Sequence, residues 1–250
     1  MYQLGFTISN EYSHCYSLIE EVLDIKIKKI GGVCASVYKN ERTYVAVACE
    51  RKNRDSLIGI IKEVLCDMFA TLIKCDYLKK RLKLPIDKYS YNILIHTLVA
   101  FDRDNEREII NKALVIQDGM SLDGIFYFRL DELRARWDEI GKLATDNAFY
   151  LIDEDTLNEL IRFLISAVSP KIMRLDISQK DNEYSVCGKL HESEFVYNVI
   201  GTEQLMLYLI DIAPLELTLR GNFTDKRLYE RLVRIFDAKR GDNCESLVHR

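Results

Sequence analysis

Proline and glycine are scarce in this chain, with three and eleven residues among 250, which leaves little room for disordered linkers. No apolar run approaches the ~20 residues that a membrane-spanning helix needs. The N-terminus, Met1 to Ile8, lacks the basic start and long apolar core of a signal peptide. There is no excess of positive charge. The formal net charge is -4, which argues against a general nucleic-acid binder, because phosphate binding rests on clustered Lys and Arg. The seven cysteines are odd in number and none forms a CxxC pair, so neither a zinc site nor a redox motif is expected. A phosphate-binding GxxxxGK[ST] loop is missing, as are GxGxxG, HExxH, GxSxG and an EF-hand loop. No catalytic residue, metal ligand or cofactor is therefore assigned.

What is present is a globular composition, 48% hydrophobic and 30% charged. Cys34, Cys49 and Cys66 sit inside apolar runs, as buried free thiols of a reducing, cytoplasmic compartment would. Charge is distributed unevenly. Residues 1–118 hold 18 basic and 16 acidic side chains, whereas 119–250 hold 17 and 23.

Apolar spacing predicts a strand over 2–8 and an amphipathic helix over 11–27. Gly31-Gly32 breaks the chain before two β-branched or aromatic runs, 33–38 and 43–49, which flank Lys39-Asn-Glu-Arg42 as a hairpin. Asn53 or Asp55 can cap a helix running to about Leu82, whose wide apolar stripe implies more than one neighbour. A second long helix is expected over 89–114, with Asp102 to Glu108 as its solvated face. Gln117 to Gly124 has the composition of a boundary loop. Ile125 to Phe128 reads as a short strand or a buried lead-in. Asp131 and Asp153 cap the next two helices, to Phe149 and to about Val168. Strands follow over 173–177 and 183–189 around a turn at Lys180 to Asn182, with a third over 195–199. Thr202 and Thr224 are expected caps of the last two helices, and Arg240-Gly-Asp242 opens the tail. At Pro170 and again at Pro214 an apolar helix stops and a strand leaves at once. Either an αβ unit is duplicated, or proline simply punctuates two separate exits. The expected fold is α+β. A unit over 1–118 joins strands and a hairpin to long helices, and a unit over 119–250 packs helices on a mixed or antiparallel sheet.

Several residues carry chemistry that a local role explains as well. His14 adjoins Cys15, but neighbours on a helix point apart. His96 lies on an apolar helix, where a satisfied core histidine is the default, and His191 lies in a polar loop. Asp153-Glu-Asp155 opens a helix, where acids favour the macrodipole and cap free N–H groups. The basic run Lys79 to Lys83 closes one, where cations are favoured for the same reason. Tyrosines nearby leave RNA or an acidic partner as its functional reading.

Four segments follow one another along the second half of the chain: Phe128-Arg-Leu, Leu160-Ile-Arg-Phe163, Pro170-Lys171 and Ile212-Ala-Pro214. In that order they resemble the YtxC-like sporulation proteins of endospore-forming bacteria, over about residues 126–237. Asp176 stands where the family often has a histidine. The resemblance implies a cytosolic protein linked to spore formation and transfers no catalytic residue. The expectation is a non-catalytic protein that binds another sporulation protein or itself. Arg129 and Arg162 are the expected contact positions, with local ion pairs as the alternative. An enzyme or small-ligand receptor, with a site assembled from distant residues, is the other reading.

Overall fold

Alternation of apolar and polar side chains builds the first sheet. A computed structural model describes residues 1–146, 150–190 and 193–241. Strand β1 (Tyr2–Ser9) turns Leu4, Phe6 and Ile8 to one buried face, and β3 (Arg42–Cys49) turns Val45, Val47 and Cys49 the same way. The two run antiparallel from Tyr2 opposite Cys49 to Ser9 opposite Arg42. Strand β2 (Val33–Lys39) joins β3 through Asn40 and Glu41, at φ 51° and 58°, the left-handed two-residue turn that suits strand twist. Helix α1 (Asn10–Lys29) covers the buried face, and its Tyr16 ring stands edge-on to Phe6 at 6.3 Å. Gly32 lets the chain turn back tightly. A Cβ there would lie 2.7 Å from the Ile27 side chain and 2.8 Å from the Ala48 carbonyl oxygen.

The helix expected to end near Leu82 is realised as α2 (Arg54–Asp67), a π-helical stretch (Met68–Ile73) and α3 (Lys74–Arg81). The wider π turn buries Met68, Phe69, Ala70 and Ile73, which accounts for the breadth of the apolar stripe. Asn53 occupies the cap position, but its side chain donates to the Ile30 carbonyl oxygen at 2.7 Å rather than accepting from α2.

Three other expectations change. The helix over 89–114 is two helices, α4 (Lys88–Ala100) and α5 (Arg103–Ala113), parted where Asp102 takes φ 58°, outside any α-helix. The chain divides by packing into two compact units, Met1–Lys83 with Arg103–Ala144, and Leu84–Asp102 with the chain from Thr145. The boundary read at 118/119 falls inside the first unit, because Met120–Ser121 forms β4 and pairs parallel to β1. Residues 125–128 belong to helix α6 (Leu122–Arg129), whose cap Ser121 accepts from the Gly124 N–H at 3.3 Å. After α6 comes α7 (Asp131–Asp146); its expected end at Phe149 lies outside the described residues. The rings of Tyr12, Phe69, Tyr77 and Trp137 surround Phe126 at 5.4–6.2 Å between centroids.

In the second unit α8 (Glu154–Ser166) starts at Asp153, which accepts from the Thr156 N–H at 2.9 Å as expected. A hairpin follows, β5 (Arg174–Lys180) and β6 (Glu183–Leu190), then β7 (Ser193–Ile200), α9 (Thr202–Ile212) and β8 (Glu216–Arg220). Helix α10 (Lys226–Phe236) leads to β9 (Lys239–Arg240), so the expected tail contributes a last strand. The sheet is mixed, in the order β7-β6-β5-β8-β9. Neither expected threonine caps its helix. Gly201 precedes α9 at φ 87°, and Asp225 accepts from the Leu228 N–H at 3.0 Å.

The two proline joints lie side by side. Lys171 N–H donates to the Ile212 carbonyl oxygen at 2.9 Å, and Leu215 N–H donates to that of Ile172 at 3.1 Å. The strands that leave them, β5 and β8, are parallel neighbours, with Leu175 opposite Leu217 and Ile177 opposite Leu219. The prolines end both helices, and the N–H groups beyond them link one exit to the other.

Candidate interaction site

Strand β2 is the edge of the first sheet, whose order is β2-β3-β1-β4. Among the described residues no strand pairs with its outer side. In a two-residue hairpin the closing pair, here Lys39 with Arg42, is hydrogen-bonded. Val37, Ala35 and Val33 therefore direct their backbone groups into the sheet, while Cys34, Ser36 and Tyr38 direct theirs outward. The edge carries none of the usual guards. It has no proline, its register runs unbroken from Val33 to Lys39, and its one charged residue is Lys39 at the end.

The sheet face turned away from α1 is apolar and open. Val33 is 62% exposed and Val37 59%, and Tyr44 joins them on the same face. Ala35, Ala46 and Gly5 lie in one row across three strands, flanked by the row Val37, Tyr44 and Thr7. These small side chains leave an open depression of about 490 Å³, closed at one end by Asp118 and Gly119. Asp118 is fixed there by accepting from the Gly5 N–H at 2.7 Å. On the other face Ser36 Oγ donates to Glu20 of α1, and Tyr38 OH donates to Asn10 Oδ1 at 3.2 Å. The Cys34 thiol is raised above its ordinary pKa, first by burial and also by the charges of Asp24 and Glu20.

The sequence-derived sites are dispersed. Arg129 is exposed in the first unit and donates weakly to the Ala113 carbonyl oxygen at 3.4 Å. It flanks Phe128, which is 84% exposed, and both line a depression of about 310 Å³ with Val115 and Gly119. Arg162 belongs to the second unit and faces Asp237 at 3.6 Å. His14 and Cys15 touch after all, Nε2 to Sγ at 3.3 Å. The same nitrogen lies 3.6 Å from Asp76, so the carboxylate does not orient the ring from its far side as a catalytic triad requires. Burial pushes the Cys15 thiol up to about 12, assisted by Asp76 and Cys75, which keeps it protonated. His96 is half-buried and stands 3.2 Å from Asp211. His191 lies outside the described residues. Within the basic run, Lys80 pairs with Glu11 and Asp76, and Arg81 pairs with Asp138 at 2.5 Å. Among the described residues no group of His, Cys, Asp and Glu side chains is placed to hold a metal.

Two buried charged clusters escaped the sequence reading. Glu106, expected on a solvated face, is 1% exposed, and its oxygens meet Lys74 Nζ at 2.8 and 2.9 Å. Trp137 Nε1 donates to the same carboxylate at 2.9 Å. In the second unit Arg231 is fully buried. Its Nε donates to Glu154 at 2.8 Å, one terminal nitrogen donates to Ser90 Oγ at 2.7 Å, and its guanidinium lies 4.8 Å from the Tyr89 ring centre. Arg227, one helical turn earlier, binds Glu154 and Asp87. Burial works against the Asp87 charge, yet hydrogen bonds from Ser90 and Arg227 hold its carboxyl down to about 2. The acids Glu154 and Asp155 thus serve three arginines of α10, since Arg234 pairs with Asp155. A recess of about 160 Å³ opens beside this cluster, lined by Tyr89, Thr202, Asp225, Arg227 and Leu228. The signal for Arg231 was the strong amphipathic spacing of 226–236, in which one arginine falls on the apolar face.

No family model matches the chain, and no curated protein or solved structure matches it closely enough to indicate kinship.

Proposed function

We propose that this chain is a sporulation-associated cytoplasmic protein that acts without catalysis, by binding an extended segment of another polypeptide along β2. The sporulation setting rests on the order of the Phe-Arg-Leu, Leu-Ile-Arg, Pro-Lys and Ile-Ala-Pro segments. The binding reading rests on one observation: β2 is an unguarded strand edge beside an open apolar face. An added strand gains main-chain hydrogen bonds from Cys34, Ser36 and Tyr38 and covers apolar surface at the same time. Among the described residues, no helix is long and apolar enough to cross a membrane.

The test uses the full chain with a photocrosslinking residue in place of Tyr38. Ser36→Pro removes an outward N–H, which an edge strand tolerates, and leaves the β3 ladder whole. The expected result is a crosslinked polypeptide that disappears in the Ser36→Pro protein while the circular dichroism spectrum stays the same. A crosslink that survives the substitution overturns edge pairing.

A second reading, small-ligand binding, is favoured by the recess at Tyr89 and Thr202, whose walls come from three distant stretches of chain. Native mass spectrometry of protein from its source decides for it if a bound mass of a few hundred daltons is lost on Arg227→Ala.

A further inference from the structure

Resting on the edge-binding reading, the geometry points to the chemistry of the occupant: a strand of a different protein with the pattern apolar–basic–apolar, its basic residue opposite Ser36. We infer this from the two faces that the added strand would meet. Side chains alternate across a strand, so the residue opposite Ser36 shares its face, the one toward α1. There Glu20 accepts a hydrogen bond from the neutral Ser36 hydroxyl, and among the described residues no cation forms an ion pair with its carboxylate. Asp24 is next along α1, but Lys28 occupies it at 2.6 Å. A lysine or arginine in the added strand supplies the missing countercharge at Glu20. Its two neighbours point to the other face, beside Ala35 and Val37. There the Ala35, Ala46 and Gly5 row leaves the depression of about 490 Å³, room for a large apolar side chain reaching diagonally.

The same carboxylate argues against a second copy of this chain as occupant. Antiparallel pairing of two β2 strands about Ser36 sets the two Glu20 residues at one level, like charge against like charge. The second β2 itself brings no cation to that level, because its one charged residue, Lys39, lies at the strand end.

The probes are three blocked seven-residue peptides, Ser-Thr-Phe-X-Phe-Thr-Ser, with Lys, Glu or Gln at the centre. Each is titrated into the isotope-labelled full chain while backbone amide resonances are followed. The Lys peptide is expected to shift the amides of Cys34, Ser36 and Tyr38. It should bind up to about five-fold more tightly than the Gln peptide, the range of a surface ion pair. Glu20→Gln should abolish that preference without weakening the Gln peptide. If all three peptides shift the β2 amides with equal affinity, the charge assignment is overturned and edge binding stands. If none shifts them, edge binding itself fails. Concentration-dependent shifts of the same amides without peptide would overturn the inference in favour of a second copy.

Discussion

Glu106 shows how far one residue can depart from its surroundings in sequence. Its neighbours are charged, yet α5 turns it inward together with Ile110, onto Lys74 and the Trp137 indole. Desolvating a charge without its partner is costly, so Lys74→Met should destabilise the first unit by about 3–5 kcal/mol. Adding Glu106→Gln, which removes the stranded charge and keeps an acceptor for Trp137, should recover most of that loss. Urea unfolding followed by fluorescence of the single tryptophan reads both variants. In the second unit Asp87 makes a pH-dependent contribution. Its folded pKa is depressed from 3.8 to about 2, so the stabilisation is complete above the unfolded value and lost as pH falls through about 2. With the half-exposed pair discounted for solvent screening, the contribution is about 1 kcal/mol. Asp87→Asn keeps the helix cap and should lower stability by that amount at neutral pH, with the difference closing toward pH 2 in acid titrations of unfolding.

Caps show what decides where a helix begins. Thr202 and Thr224 carry the right chemistry, but the chain enters α9 and α10 one residue away from each expectation, at Gly201 and Asp225. Thr202 comes one position after the cap and is already inside α9, whereas Thr224 comes one position before it and leaves the first N–H groups of α10 to Asp225. Asp225→Ala should cost about 1 kcal/mol, measured as a drop in the unfolding midpoint of the second unit. The hairpin of β2 and β3 was readable from its flanking β-branched runs. That β2 would be an edge was not readable, because edge status depends on which strands arrive from elsewhere.

At the scale of the whole chain, the polypeptide passes between its two units three times, at 83/84, 102/103 and 144/145. No single cut separates them. A fragment of residues 1–118 lacks β4, α6 and α7, and with them Phe126 and Trp137 at the centre of the aromatic cluster. A fragment of residues 1–144 keeps that cluster but carries α4 without α8 and α9, leaving Ile93, Leu94 and Leu98 uncovered. Both should express as aggregating or poorly dispersed species by amide-resonance spectra. The chain with 84–102 replaced by a short flexible linker and ended at 144 should give a dispersed spectrum. A well-dispersed 1–118 fragment would contradict this division.

Local periodicity determined the α+β class, most strand and helix positions, the hairpin and the helix stops at Pro170 and Pro214, because each depends on spacing within a few residues. Only the tertiary structure decided which strands became neighbours, which charges were buried and where the units divide. The joints at Pro170 and Pro214 lie 44 positions apart in sequence yet share hydrogen bonds, a pairing set by the neighbouring strands β5 and β8. Lys74 with Glu106, and Arg231 with Glu154 and Ser90, are likewise long-range meetings that no local pattern encodes. Burial of charge and exposure of a strand edge follow from what else packs nearby, so both emerge only once the chain is folded.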